Sequence, residues 1–487
     1  MPSQKSLKKN SLYAFIKAFL TLLFPLITFP YASRILGPDG MGKVNFSNSI
    51  ISYCLFIAYM GIPAYAVREA AKVRDNKIEL AKFTKEILII NTISTACSYI
   101  FFAILLIFVP KFADYKVLLL ICSARIIFSS IGIDWLYKAV EEYRYITIRS
   151  FIFQIISLIF LFLFVHSKQD LVFYAVFGVI SSVGSNICNL LNAPKHVDFK
   201  IKVKLSLLKH FRPILIFFGM AFVTSIYHTL DSTMLGFLSD DAEVGYYSAA
   251  NKINNMVLSL LTALMSVLLP RLSVYAKEHQ FDNFKKLSHK AMAVLSLCSI
   301  PMATGIFLLA EPLTLLFSGT SYLPAVKPMR IITPIVFIIP MGSILGSQIL
   351  PAINKEKTAL LSYLFGAIAN IICNAVLIPK FGASGAAIGT VCAESVIVLF
   401  QLFFLHHLIF NKLILISLLQ TIFGTFIMAC AVFIFIKNTS NILLQIFCGA
   451  LLGVIVYSLT LFALRNKYFC EYAQKILSKF IKIQKNK

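Results

Sequence analysis

No stretch between the apolar runs of this chain is long enough to fold into a soluble domain. With 59% hydrophobic residues and a mean hydropathy of +0.83, that absence excludes an ordinary water-soluble protein, which is near half apolar. Paired cysteines are missing as well. The ten cysteines stand singly, most of them inside apolar runs, with no CxxC motif, so they read as small hydrophobes and neither as metal ligands nor as a disulfide framework. The net charge of +24 comes without any RNP, zinc-finger or helix-turn-helix pattern, and nucleic acid is excluded as a partner. No small-residue cleavage site precedes Arg34, and the run 11–33 is too long for a signal peptide, so it is expected to be an uncleaved first helix.

What is present is a rhythm. Apolar stretches of about twenty residues recur from Ser11 to Leu464, each able to cross roughly 30 Å of hydrocarbon at about 1.5 Å per helical residue. The expected spans are 11–33, 44–66, 86–109, 116–136, 150–166, 171–192, 213–236, 246–269, 291–316, 329–350, 359–379, 384–409, 413–436 and 440–464. Fourteen is even, so both ends of the chain fall on one side. Of the 45 lysines and arginines, 33 lie in the alternate gaps that include both ends and 9 in the opposite gaps. The positive-inside rule then places both termini in the cytoplasm, with these loops held beside anionic membrane lipids. The expected fold is all-α and polytopic. It would comprise an N-terminal lobe (1–210, six spans), a C-terminal lobe (211–409, six spans), two further spans (410–464) and a basic cytoplasmic tail (465–487).

A repeat at an offset of 203 residues supports two lobes related by an axis along the membrane normal. Gly42 maps onto Gly245, Asn48 onto Asn251, Ile50 onto Ile253 and Arg68 onto Arg271, with a basic loop following each arginine.

Ionisable groups inside a bilayer helix are costly, and each is a candidate for function. Lys17 shares a helical face with Thr21 and Thr28, although it sits close enough to the cytoplasmic edge to snorkel. Arg125 lies too deep for that, and Asp134, nine residues on, falls on nearly the opposite face and is not expected to pair with it. Amide and hydroxyl stripes run along the second span (Asn45, Asn48, Ser49, Ser52) and the eighth (Ser248, Asn251, Asn255, Ser259), the latter flanked by Lys252. Hydrogen bonding between helices would account for the amides, but less well for Lys252. His228 and Asp231 are three residues apart and can form either a structural pair or a proton relay. Glu311, late in the ninth span before Pro312, and Glu394, in the twelfth, join Asp134, His228 and Asp231 as the gating or ion-coupling candidates. Together the cations, hydroxyls and amides would make a pocket suited to an anion such as a diphosphate, which arginine binds bidentately and lysine as a point charge. No metal site is expected.

The segment Arg34-Ile-Leu-Gly-Pro-Asp-Gly-Met-Gly-Lys-Val-Asn-Phe-Ser-Asn-Ser resembles the first-loop signature of polysaccharide-repeat-unit flippases of the multidrug/oligosaccharidyl-lipid/polysaccharide exporter superfamily. Asp134-Trp-Leu-Tyr-Lys-Ala-Val-Glu-Glu-Tyr-Arg-Tyr-Ile-Thr-Ile-Arg149 is similar to another of their motifs, as are Asp231-Ser-Thr-Met-Leu-Gly236 and Val244-Gly-Tyr-Tyr-Ser-Ala-Ala-Asn-Lys-Ile253. Pro340–Gln348, Pro351–Lys357 and Phe381–Gly389 follow in the family order. The resemblance covers nearly the whole chain. It implies two helical bundles around a cation-lined cavity open alternately to each side, and a substrate of undecaprenyl-diphosphate-linked oligosaccharide carried across the cytoplasmic membrane of a bacterium for O-antigen, capsule or similar polysaccharide. It implies no covalent chemistry. No cofactor is expected, the sequence leaves open whether a proton or sodium gradient or the membrane potential drives the cycle, and glycosyltransferases and a polymerase are the expected protein partners. Arg34, Asp134 and Lys252 occupy its motif positions, whereas Lys17 and Arg125 rest mainly on their place in the spans; with Asn48, Asn251 and Asn255 they are the expected substrate-binding residues.

Two other readings differ in what they require. A drug or cation antiporter of the same superfamily needs acidic groups for its cargo, and here the spans carry deep cations. A membrane polymerase or glycosyltransferase needs a large outer loop or a cytoplasmic acidic pair holding a metal. The outer loops are short, Asp240-Asp241 falls outside, and Glu141-Glu142 has no ligand partners nearby.

Overall fold

In hydrocarbon a backbone has no water to bond, so each spanning segment must satisfy its own amides, and a helix does so. The computed structural model of the protein describes residues 7–202, 204–265, 268–409, 411–471 and 473–474, without the side chains of residues 7, 8, 11, 14, 22, 220–228 and 263–265. Among the described residues there is no strand, and all fourteen expected stretches are helical. Among the described residues, nine helices are long and apolar enough to cross a membrane. Two of these, Phe15–Val73 and Glu356–Ile409, each hold a pair of expected spans. Lys116–Ile131, Leu208–Leu238 and Asp241–Met265 supply the fourth, seventh and eighth. The chain is an all-α, multi-pass membrane protein.

Both merged pairs turn back at a glycine. Gly37 (φ 69°, ψ 179°) divides the helix Leu7–Tyr59, and Gly382 (φ 52°, ψ −129°) divides Glu356–Ile409. A Cβ is strained in such conformations, so the glycines of two of the quoted motifs mark tight reversals between neighbouring spans. Pro38 follows Gly37 at the start of the second span, where its missing N–H costs no hydrogen bond.

The contacts divide the chain into two compact units, Met1–Gly245 and Tyr246–Lys487. In the first, Phe46 of the second span packs edge-on against Tyr115 and Phe237 and lies against Gly236. Residues 211–245 thus belong with the first unit by packing. Two glycines related by the 203-residue repeat make reciprocal contacts here. The Cα of Gly42 abuts the backbone carbonyl of Asp241, and that of Gly245 abuts the carbonyl of Pro38. Positions 38 and 241 are themselves repeat equivalents, so the pair has the self-complementary form of a two-fold contact. Asp241 also accepts a hydrogen bond from Tyr115 (2.5 Å).

At the other end of this unit a buried carboxylate ties down the start of the seventh helix. Glu86, fully buried, accepts from the backbone N–H of Ser206 (2.7 Å) and lies 2.8 Å from His210 Nε2 and 2.9 Å from Lys209 Nζ. His210 Nδ1 in turn lies 2.6 Å from Tyr65 Oη. Removing one member of a buried charged cluster strands the others, at a cost of about 3–5 kcal/mol, whereas a half-exposed partner contributes about 0–1 kcal/mol. Thermal unfolding in detergent should therefore show a large drop in Tm for Glu86→Ala and little change for Lys209→Ala.

The second unit is centred on Leu295, Ile344, Leu345 and Ile349, all fully buried, with helices Phe281–Leu308, Ile335–Gly342 and Glu356–Ile409 around them. Helices Lys412–Lys437 and Ile442–Ala463 pack on Phe281–Leu308 through Met428, Val432 and Tyr457. Their outer faces carry exposed large apolar residues such as Phe426 and Phe447, which suit lipid. The ninth span begins at Phe281, ten residues before the expected start, and breaks after Leu308. Glu311 is consequently not inside it: it opens a separate short helix, Ala310–Ser318, as an exposed first-turn acid, with Pro312 in the same turn where proline is tolerated.

Candidate functional site

A cavity of about 560 Å³ opens within the first unit, lined by residues of its first six spans. Its wall is unusually polar for a bundle that is otherwise apolar: Asn91, Ser129, Gln154, Ser182 and Asn186 face it. Asp134 is part of that wall. The fourth helix ends at Ile131, Ile133 takes a left-handed conformation (φ 35°, ψ 36°), and a short helix restarts at Asp134. Such a backbone is costly for a β-branched residue and persists only where the surroundings hold it. Asn189 helps to do so by donating to the carbonyl of Gly132 and to Asp134 Oδ1 (3.4 Å).

Three cations converge on this carboxylate. Arg149 Nη2 donates to Oδ1 at 2.8 Å, while Lys138 Nζ and Lys17 Nζ lie 3.3 and 3.7 Å from Oδ2. Three positive charges against one negative leave the cluster cationic. The groups differ in burial. The Arg149 side chain is only 5% exposed, whereas Lys17 and Asp134 are each 32% exposed and reach the cavity. Arg149 is held by a second bond, Nη1 to the carbonyl of Ser185 (2.9 Å), just past the π-helical turn Ile180–Gly184 that widens the sixth span where Ser181 and Ser182 line the cavity. Its Nε, and the indole Nε1 of Trp135 in the same wall, are buried without a hydrogen-bond partner among the described residues.

The structure thus brings together three pairs of the candidates read from sequence, Lys17 with Asp134, Arg125 with Asn48 and Asn255 with Asn251. Arg125 Nη1 donates to Asn48 Oδ1 at 2.9 Å, away from the cavity wall. Arg34 is exposed beside the turn at Gly37, and Asp231 is buried in the seventh helix. Asn251, Lys252 and Asn255 lie on the Asp241–Met265 helix in the second unit, where Asn255 donates to Asn251 (3.0 Å) and Lys252 is half-buried. Glu394 is buried in that unit, in the twelfth span. The side chain of His228 lies outside the described residues, so its pairing with Asp231 does too. Sequence reading missed Arg149, counted there as a loop cation, and Glu86, counted as the start of a span. A signal for Arg149 was available: it stands on the same helical face as Tyr145 and Ile152, one turn inside an apolar run. No group of acidic, histidine or cysteine side chains that could hold a metal occurs among the described residues.

Comparison with known proteins gives consistent likenesses. Residues 7–276 match the model of the family described as polysaccharide biosynthesis protein, and residues 216–376 match that of the MatE family. The chain is 26% identical over 414 residues to the "Putative O-antigen transporter" of Escherichia coli K12, covering 84% of this chain and 98% of that protein. It is 22% identical to the "Probable low-salt glycan biosynthesis flippase Agl15" of Haloferax volcanii, over 48% of this chain and 49% of that one. Among solved structures, lipid II flippase MurJ in an inward closed conformation superposes with a TM-score of 0.75 at 19% identity, over 93% of this chain and 99% of that chain. An inward-facing multidrug resistance MATE family transporter of the MOP superfamily gives 0.63 at 13% identity, over 79% of this chain and 94% of that one. At those identities the superpositions speak for the fold.

Proposed function

Because the chain belongs to the polysaccharide biosynthesis protein family, we propose that it flips a lipid-linked oligosaccharide, carried on undecaprenyl diphosphate, from the inner to the outer leaflet of a bacterial cytoplasmic membrane. The observation that carries this reading is the cationic cluster of Lys17, Lys138 and Arg149 around Asp134 in a polar cavity. Arginine and lysine there would take the diphosphate, the hydroxyls and amides of the wall would take sugar, and the prenyl tail would stay in lipid. The names of the E. coli and H. volcanii relatives and of the lipid II flippase point to the same class of cargo. A cation antiporter fits less well, since its cavity should carry an excess of acid.

The proposed process makes and breaks no covalent bond. A ligand moves a two-state carrier only by binding the two states differently, so the contacts to diphosphate must change between inward-open and outward-open forms. Asp231 and Glu394, buried carboxylates in different spans, are the candidates for coupling the return step to a proton or sodium gradient.

Removing the protein from its host tests the reading directly. Lipid-linked repeat units should accumulate in the inner leaflet and surface polysaccharide should fall by an order of magnitude or more, with both restored by the intact chain. Normal appearance of repeat units in the outer leaflet of the deletion strain would overturn it.

A further inference from the structure

Arg149 lines a second depression besides the polar cavity. This groove, of about 460 Å³, runs along the flank of the fifth span, Tyr143–Phe164. Tyr145, Ile148, Arg149, Ile152 and Phe153 border it with the spacing of one helical stripe, and Cys188 of the sixth span closes it. Its floor is apolar. Ile148 and Ile152 are 45% and 48% exposed, as expected of a surface turned towards lipid. Of its charged residues, Glu142 and Arg144 stand at one end, before the stripe, and Arg149 stands midway along it. The charge pattern of the chain places that end at the cytoplasmic leaflet.

A groove on a lipid-facing flank is ordinarily filled by bilayer acyl chains. Two observations set this one apart. The guanidinium of Arg149 belongs to both walls, bonded to Asp134 on the cavity side and stacked over the Tyr145 ring at 5.8 Å on the groove side. Its Nε is buried without a hydrogen-bond partner among the described residues. A single residue thus stands where an anionic head in the cavity and an apolar chain in the groove would join.

We propose that this groove seats the proximal part of the polyprenyl chain of the substrate, with the diphosphate at Arg149 as the hinge between the two compartments. The inference rests on the function proposed above and assigns the tail a track on the fifth and sixth spans. Arg149, a cation common to the walls of the cavity and of the groove, selects a lipid diphosphate as occupant.

The test uses the purified full-length protein and three probes: undecaprenyl diphosphate, inorganic pyrophosphate and phosphatidylglycerol. Ile152→Trp fills the groove without touching the cavity, and Ile155→Trp, on the same helix outside the groove, is its control. Ile152→Trp should weaken binding of undecaprenyl diphosphate about tenfold, leave pyrophosphate binding unchanged and leave phosphatidylglycerol without effect, while Ile155→Trp does nothing. A wild-type protein labelled with a photoreactive polyprenyl diphosphate should carry the label within residues 145–153, an outcome that does not depend on any variant folding. Equal effects of the two tryptophans, displacement of the polyprenyl probe by phosphatidylglycerol at equal strength, or label confined elsewhere would each overturn the tail track while leaving the cavity reading standing. Failure of the wild-type protein to bind pyrophosphate at all would instead remove the reading on which the track depends, and the track with it.

Discussion

Asp134→Asn should bind the proposed diphosphate cargo more tightly and carry it more slowly. Without the carboxylate, Lys17, Lys138 and Arg149 surround a neutral amide, and an incoming anion no longer competes with a resident one. Charges about 4 Å apart interact by about 4 kcal/mol at the effective dielectric near a protein surface. Because a third of Asp134 is exposed, water screens much of that, and a tightening of about tenfold in affinity is the expected size. Turnover should fall by at least as much. When the cargo leaves, the buried Arg149 would have no carboxylate to return to, so release becomes the costly step.

Arg149→Met should act with the opposite sign on binding. It removes a hydrogen bond to a charged group, worth about 1.5–3 kcal/mol, and weakens binding roughly ten- to hundredfold. Pyrophosphate titration of the purified variants separates the two, and flipping of lipid-linked oligosaccharide in vesicles reports turnover. If both variants weaken binding alike, Asp134 is only a brace for the arginine, and the idea that it stands in for the departed phosphate is lost.

A valine at Gly42 should disable transport by a different route. A Cβ there would collide with the backbone carbonyl of Asp241, and a backbone carbonyl cannot rotate away as a flexible side chain can. Overpacking of this kind costs about 1–3 kcal/mol, which is a shift of about five- to 150-fold against the closed arrangement of these helix ends. Gly245→Val should do the same through the carbonyl of Pro38. A cysteine placed at Ser49, now buried beside Thr233 (3.0 Å), reports the opening. In a protein with its native cysteines replaced, it should react with a membrane-impermeant thiol reagent at least tenfold faster in either valine variant, and polysaccharide export should drop in step. Unchanged labelling together with full export would show that the contact does not gate anything.

Much of the architecture was legible because a bilayer imposes a simple rule on sequence: twenty apolar residues make a span, and charge is tolerated in the gaps. Each of the fourteen stretches that this rule marks is helical among the described residues, and the 203-residue repeat pairs Gly42 with Gly245, which make reciprocal contacts. The rule is weaker at the ends of spans. A lysine or arginine one turn inside a helix looks the same in a charge count as one in the loop before it, and for this reason Arg149 and Glu86 passed for loop-edge residues. Asp134 was found through its motif and Lys17 through its helical face, but their meeting depends on the left-handed turn at Ile133, which no local propensity of isoleucine announces. Glu311 shows the converse error. Continuing hydrophobicity hid the break after Leu308, and an acid that caps a new helix looked like one inside the old.

The reciprocal glycine contact also bears on how such a chain can drift. Each glycine touches main chain, and a carbonyl is the same whatever side chain follows it. The partner positions could therefore diverge, to proline at 38 and aspartate at 241, while the two glycines stayed fixed. An ancestral duplication would survive longest at such places, as small residues preserved in register while the surrounding letters are rewritten.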